Sequence, residues 1–68
     1  MNSLRKIREE KGMTQVQLAA AANVTQGMIS AYENGVLPTL PIALRISRIL
    51  GASLEDLFPM PESETKTA

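Results

Sequence analysis

The spacing of two threonines limits how this chain folds more than any other feature. Between Thr14 and Thr25, the stretch "TQVQLAAAANVT" has to hold one helix, a turn and the start of a second helix. Thr14 and Gln17 make a Thr-x-x-Gln capping box, in which each side chain satisfies an N–H left free at the helix start, and Met13 is placed to staple onto Leu18. Four alanines follow, Ala19 to Ala22, and the run halts at Asn23, the residue after glycine most at ease with positive φ. Thr25 then caps the next segment, with Val24 stapled to Ile29. Only Asn23 and Val24 separate the first of these helices from the cap of the next, and Ala19 supplies a side chain small enough for the two backbones to approach where they cross.

The same punctuation marks three further helices. A first segment runs from Asn2 or Ser3 to Lys11, with Leu4, Ile7 and Arg8 on one face and Gly12 as its left-handed stop. The segment opened by Thr25 carries Ile29 and Tyr32 inward and ends at Asn34-Gly35. A fourth opens at Thr39, accepts Pro41 in its first turn, and is expected to bury Leu40, Ala43, Leu44, Ile46, Ile49 and Leu50 before Gly51. Ser53 caps the fifth, where Glu55 and Asp56 complement the N-terminal dipole and Leu54, Leu57 and Phe58 form the apolar side before Pro59. No period-2 strand, internal repeat or glycine-rich phosphate loop appears. The prediction is a compact all-α domain over residues 1–58, followed by an acidic, disordered tail over 59–68.

Composition narrows the function. A chain of 68 residues holds one core, at a size that buries only about 60% of the surface exposed on unfolding. It has no cysteine and no histidine, so thiolate and imidazole chemistry are unavailable to it. No catalytic constellation or metal-ligand spacing can be assembled from the carboxylates and hydroxyls that remain, and neither an enzyme nor a bound cofactor is expected. Glu55 and Asp56, though adjacent, are accounted for as first-turn helix charges. The longest apolar run falls far short of the ~20 residues of a membrane span and the N-terminus lacks a secretion core, which predicts a cytoplasmic protein away from membranes. The formal charge is zero but unevenly spread. Residues 1–50 set Arg5, Lys6, Arg8, Lys11, Arg45 and Arg48 against Glu9, Glu10 and Glu33, while residues 51–68 set Lys66 against Glu55, Asp56, Glu62 and Glu64. A basic body with an acidic end still presents a positive face.

Two short helices joined by a tight turn, each opened by a polar cap, form the helix-turn-helix pattern. Residues 4–58 resemble the Cro/CI-type helix-turn-helix domain of phage repressors and small bacterial regulators, also called the Xre family. The resemblance is carried by "LRKIREEKGMTQVQLA", "NVTQGMISAYENG" and "PTLPIALRISRILGASLEDLF". It implies a lambda-repressor-like domain of five helices, acting in transcription regulation as a repressor. It also implies a homodimer on a palindromic operator in double-stranded DNA, with the third helix in the major groove. Gln15 resembles the glutamine that contacts a phosphate and braces the first side chain of that helix, here Gln26. The amide of Gln26 matches the donor and acceptor pair of adenine. Gly27, Met28, Ser30 and Ala31 occupy the family's other groove-facing positions, while Thr14, Thr25 and Asn34 match its phosphate-contacting ones. Arg8 and Glu33 match a structural salt bridge between the first helix and the end of the third. Thr14, Gln17 and Thr25 also read as plain caps, and Met28 as packing, dimer or groove contact.

This chain departs from the family pattern in two places. Val36 and Leu37 stand in the loop after the third helix, where basic residues are common, and Gly27 sits inside a helix. Attraction to phosphate then falls to Arg5, Lys6, Lys11 or to Arg45 and Arg48, and a shallow salt dependence is expected. The apolar surface near Leu54, Phe58, Pro59 and Met60 is a candidate homodimer interface. It is equally the basis of the alternative function, a protein-interaction module such as an antitoxin-like helical domain that binds a partner. No effector domain accompanies the helices, so no small-molecule effector is expected.

Overall fold

The computed structural model describes residues 3–59. The acidic tail from Met60 onward lies outside the described residues, as does the start of the chain before Ser3. Five helices, α1 (Leu4–Glu10), α2 (Gln15–Ala22), α3 (Gln26–Glu33), α4 (Leu40–Leu50) and α5 (Leu54–Leu57), follow one another with no strand among the described residues. α2 packs across α3 and against α4, α1 lies on α3 and α5, and α5 closes against α4. Their inward side chains meet in a single core of Leu4, Leu18, Ala19, Ala22, Ile29, Tyr32, Ala43, Ile46, Leu50, Leu57 and Phe58.

The tight turn at the centre of this arrangement is built from backbone hydrogen bonds. At the end of α2 the Val24 N–H reaches the Ala19 carbonyl at 2.9 Å and the Asn23 N–H reaches Ala20 at 3.3 Å, the paired closure of a Schellman stop. Asn23 takes φ 60°, and it is the only non-glycine residue with positive φ among the described residues. Thr25 begins the next cap directly, its hydroxyl accepting from the Met28 N–H at 3.1 Å. One helix is closed and another opened within two residues, so the relative direction of α2 and α3 leaves the backbone little freedom. The capping box at Thr14 forms as predicted, with Gln17 N–H donating to Thr14 Oγ1 at 3.0 Å and Thr14 N–H donating to Gln17 Oε1 at 2.9 Å.

Two predicted caps make no side-chain bond. Ser3 sits at φ −95°, ψ 8°, outside the extended conformation a capping hydroxyl needs, and only its carbonyl takes part, accepting from Ile7 at 2.9 Å. Thr39 is extended, but Pro41 removes one of the two N–H groups its side chain would serve.

Leu40 and Leu44, expected in the core, are exposed instead, at 62% and 36%. Ala43, Ile46 and Leu50 define the buried stripe of α4, and at about 100° per residue Leu44 falls on the opposite side of the helix. Leu40 lies at the N-terminal edge of that stripe, where the loop Leu37-Pro38 replaces a helix as its neighbour. Leu37, Pro38, Leu40, Ala43, Leu54 and Phe58 together line an open apolar groove.

Gly27 offers a direct test of the packing around α3. A Cβ built there meets only Thr25 Oγ1, at 3.9 Å, and the residue is exposed within a helix. Gly27→Ala is therefore expected to stabilise the domain by about 1 kcal/mol, raising the thermal midpoint by about 4–8 °C. A calorimetric midpoint that falls would show an unseen steric cost.

Candidate nucleic-acid interface

α3 divides its residues between two tasks by helical period. Ile29, Tyr32 and Glu33 are buried. Gln26, Gly27, Ser30, Ala31 and Asn34 run along the opposite side as an outward stripe, with Gln26, Gly27 and Asn34 exposed and Ser30 and Ala31 half-buried. Four of the five positions expected to face a DNA groove, Gln26, Gly27, Ser30 and Ala31, thus share one face. Met28 does not: it is half-buried and packs against the core from the flank.

The polar positions are held from behind. Arg8 Nε donates to Glu33 Oε2 at 2.6 Å, and both residues are only 7% exposed, so the expected salt bridge between α1 and the end of α3 is a buried one. Arg8 also donates through Nη1 to the Met13 carbonyl at 2.7 Å, which ties α1 to the chain entering α2. The second oxygen of Glu33 accepts from Gln15 Nε2 at 3.0 Å, and Gln15 Oε1 accepts from Gln26 Nε2 at 3.4 Å. A continuous chain of hydrogen bonds therefore runs from the buried pair to the first side chain of α3. Among the described residues every fully buried side-chain nitrogen or oxygen has a partner.

Thr14 and Thr25 stand at the N-termini of α2 and α3, where the helix dipoles favour an anion. Asn34 follows α3, and its Nδ2 donates to the Ser30 carbonyl at 2.8 Å, which folds the side chain back over its own helix. The cations divide unevenly. Arg45 Nε is committed to the Ala22 carbonyl at 3.0 Å, capping the C-terminus of α2, and Arg5 pairs with Glu9 at 3.3 Å on the surface. Lys6, Lys11 and Arg48 have no ion pair among the described residues. At the other end of the fold, Phe58 is buried, Leu54 is half-buried and Pro59 is exposed, while Met60 lies outside the described residues.

A family model described as helix-turn-helix matches residues 4–57. The chain belongs to the Cro/CI-type helix-turn-helix family. Members of this helix-turn-helix family are DNA-binding transcriptional regulators. The chain is 42% identical over 65 residues to an uncharacterized HTH-type transcriptional regulator of Methanothermobacter thermautotrophicus, with 93% of this chain and 94% of that protein covered. It is 37% identical over 62 residues to an uncharacterized HTH-type transcriptional regulator of Archaeoglobus fulgidus, covering 90% and 89% respectively. No helix among the described residues of this helix-turn-helix protein is long and apolar enough to cross a membrane.

The contact between Gln15 and Glu33 carries no local signal, because the two residues stand 18 positions apart and at opposite ends of their helices. Arg45 is equally silent in sequence: a basic residue on a helix face gives no sign that it closes the end of another helix. The apolar groove had a partial signal in the unusual Val36-Leu37 pair, both now more than half exposed.

Proposed function

We propose that this protein is a sequence-specific transcriptional repressor that lays α3 in the major groove of double-stranded DNA. The observation that supports this reading best is the outward stripe of α3, which contributes no core residue and begins with a glutamine braced from behind by Gln15. Gln26 reads a base edge, with Gly27, Ser30 and Ala31 in close apposition to the groove and Met28 making at most a flanking contact. Thr14, Gln15, Thr25 and Asn34 position the protein on phosphates through neutral donors and helix N-termini. Lys6, Lys11 and Arg48 provide the remaining attraction, which keeps the salt dependence shallow. Residues 1–58 form the DNA-binding unit and 59–68 an acidic tail. The protein has no catalytic role, cofactor or metal, acts in the cytoplasm, and answers to its own concentration or to a partner in place of a small-molecule effector.

The protein acts as a homodimer in this reading, so its operator is palindromic, with half-sites about 34 Å or 10 base pairs apart. The open apolar groove lined by Leu37, Leu40, Leu54 and Phe58, with Pro59 following in sequence, supports a dimer surface at that end of the molecule, and Met60, outside the described residues, belongs to the same proposed surface by sequence alone. The same groove favours the second reading, a module that binds another protein. Sedimentation at several concentrations separates the two: a strict monomer removes both the dimer and the palindrome.

Selection of binding sites from random DNA tests the DNA reading itself. A palindromic motif should emerge at low salt, and failure to enrich any motif overturns the proposal. Gln26→Ala should then lose preference at one base pair of each half-site, at a cost of about 1–3 kcal/mol there. A variant that selects the unchanged site removes Gln26 from the reading set.

A further inference from the structure

We propose that Glu33, a residue with no groove-facing surface, determines which way round the Gln26 amide is presented, and that it thereby selects adenine over guanine at the base pair Gln26 meets. This rests on the reading of Gln26 as a base contact. Hydrogen-bond polarity is transmitted along the chain from its buried end. Arg8 only donates and an ionised carboxylate only accepts, so the Arg8–Glu33 pair leaves an acceptor, Glu33 Oε1, facing Gln15. Gln15 must turn Nε2 toward it, at 3.0 Å, which leaves Oε1 as the atom that faces Gln26. Gln26 must then present Nε2 to Gln15, at 3.4 Å.

One N–H of Gln26 is thereby committed within the protein, and one N–H and Oε1 remain. That pair complements adenine, which offers the N7 acceptor and the N6 donor. Guanine offers two acceptors, O6 and N7, and needs two donors that Gln26 no longer has free. Glu33 and Arg8 are each 7% exposed, so water has little access to the group that anchors the polarity. Glu33 is a positioning residue: it acts on the base through Gln15 and Gln26.

The isosteric variant Glu33→Gln makes the relay run backwards. Arg8 holds the oxygen of the new amide, so that amide offers an N–H to Gln15; Gln15 and Gln26 each turn over, and Gln26 is left with both N–H groups free for guanine. After site selection with the wild type, dissociation constants are measured on operators carrying adenine or guanine at the Gln26 position. The adenine-over-guanine ratio should drop by about tenfold or more and move toward guanine in Glu33→Gln. A structural loosening alone would weaken both operators and leave their ratio in place.

Because Glu33→Gln leaves Arg8 buried without its counter-charge, the Arg8→Met/Glu33→Gln double variant, which buries no unpaired charge, serves as a second measurement. It frees the orientation of the amide at position 33, so the preference should flatten without inverting. A folded variant of either kind that keeps the wild-type ratio overturns the proposal. A wild type that selects no site removes the DNA reading instead. The relay is then decided in the free protein by the Gln26 side-chain amide resonances, which move in Glu33→Gln if the polarity is transmitted and stay in place if it is not.

Discussion

Glu33→Ala should be close to unfolding the domain. The variant leaves the Arg8 guanidinium buried with its main partner gone, and removing one member of a buried ion pair costs about 3–5 kcal/mol. Native stability runs at roughly 0.05–0.15 kcal/mol per residue, so this is a large share of what a chain of 68 residues has. Thermal unfolding followed by circular dichroism should show a midpoint lower by about 15 °C or more, or no cooperative transition at all. The exposed pair Arg5–Glu9 supplies the contrast: its side chains are 68% and 57% accessible, and Arg5→Ala should cost less than about 1 kcal/mol. Equal effects from the two variants would mean that the Arg8–Glu33 pair is solvated in solution.

Leu18→Ala is the second large effect. Leu18 is fully buried in the first half of α2, the helix that packs against both α3 and α4, and truncating it opens a cavity in the core. The expected loss is about 2–5 kcal/mol, the upper part applying if the surrounding helices cannot close on the space. Val16 lies two residues earlier on the same helix and is 57% exposed, so Val16→Ala should stay within about 0.5 kcal/mol. Urea titrations of the two variants make the check, with the slope of the transition held against the wild type to exclude a change in the unfolded state. If the Leu18→Ala midpoint matched that of Val16→Ala, α2 would not be packed as described.

What the sequence made legible was local. The starts and stops of α2 and α3 are set by Thr14, Gln17, Asn23 and Thr25 acting on backbone groups within a few residues, and each appears where spacing predicts it. The outward face of α3 was legible through the family resemblance, which gave Gln26, Gly27, Ser30 and Ala31 correctly as sharing a face and Met28 wrongly, whereas periodicity placed Ile29 and Tyr32 inside. Periodicity was less informative for α4, where Leu40 and Leu44 have the composition of core residues but not the angular position: Leu44 turns away from the core and Leu40 borders the groove beside the Leu37-Pro38 loop. Least legible were partners separated by a whole helix. The expected bracing of Gln26 by Gln15 appears, as does the Arg8–Glu33 pair, but the bond that joins the two pairs depends on how α2 and α3 lie across each other. No residue spacing encodes that.

The division of labour along α3 also bears on how such a protein changes over time. Core and stripe alternate on one helix without sharing a residue, so Gly27, Ser30 and Ala31 can be replaced without opening a cavity in the core. Under the proposed function, a lineage can drift to a new operator at Gly27, Ser30 and Ala31 while its scaffold stands still. Gln26 is the exception, because it is wired to Gln15 and through it to the buried pair. Under the same proposal, a change of recognition at Gln26 has to arrive together with a change at residue 15, which makes the first position of the helix the slowest to be rewritten.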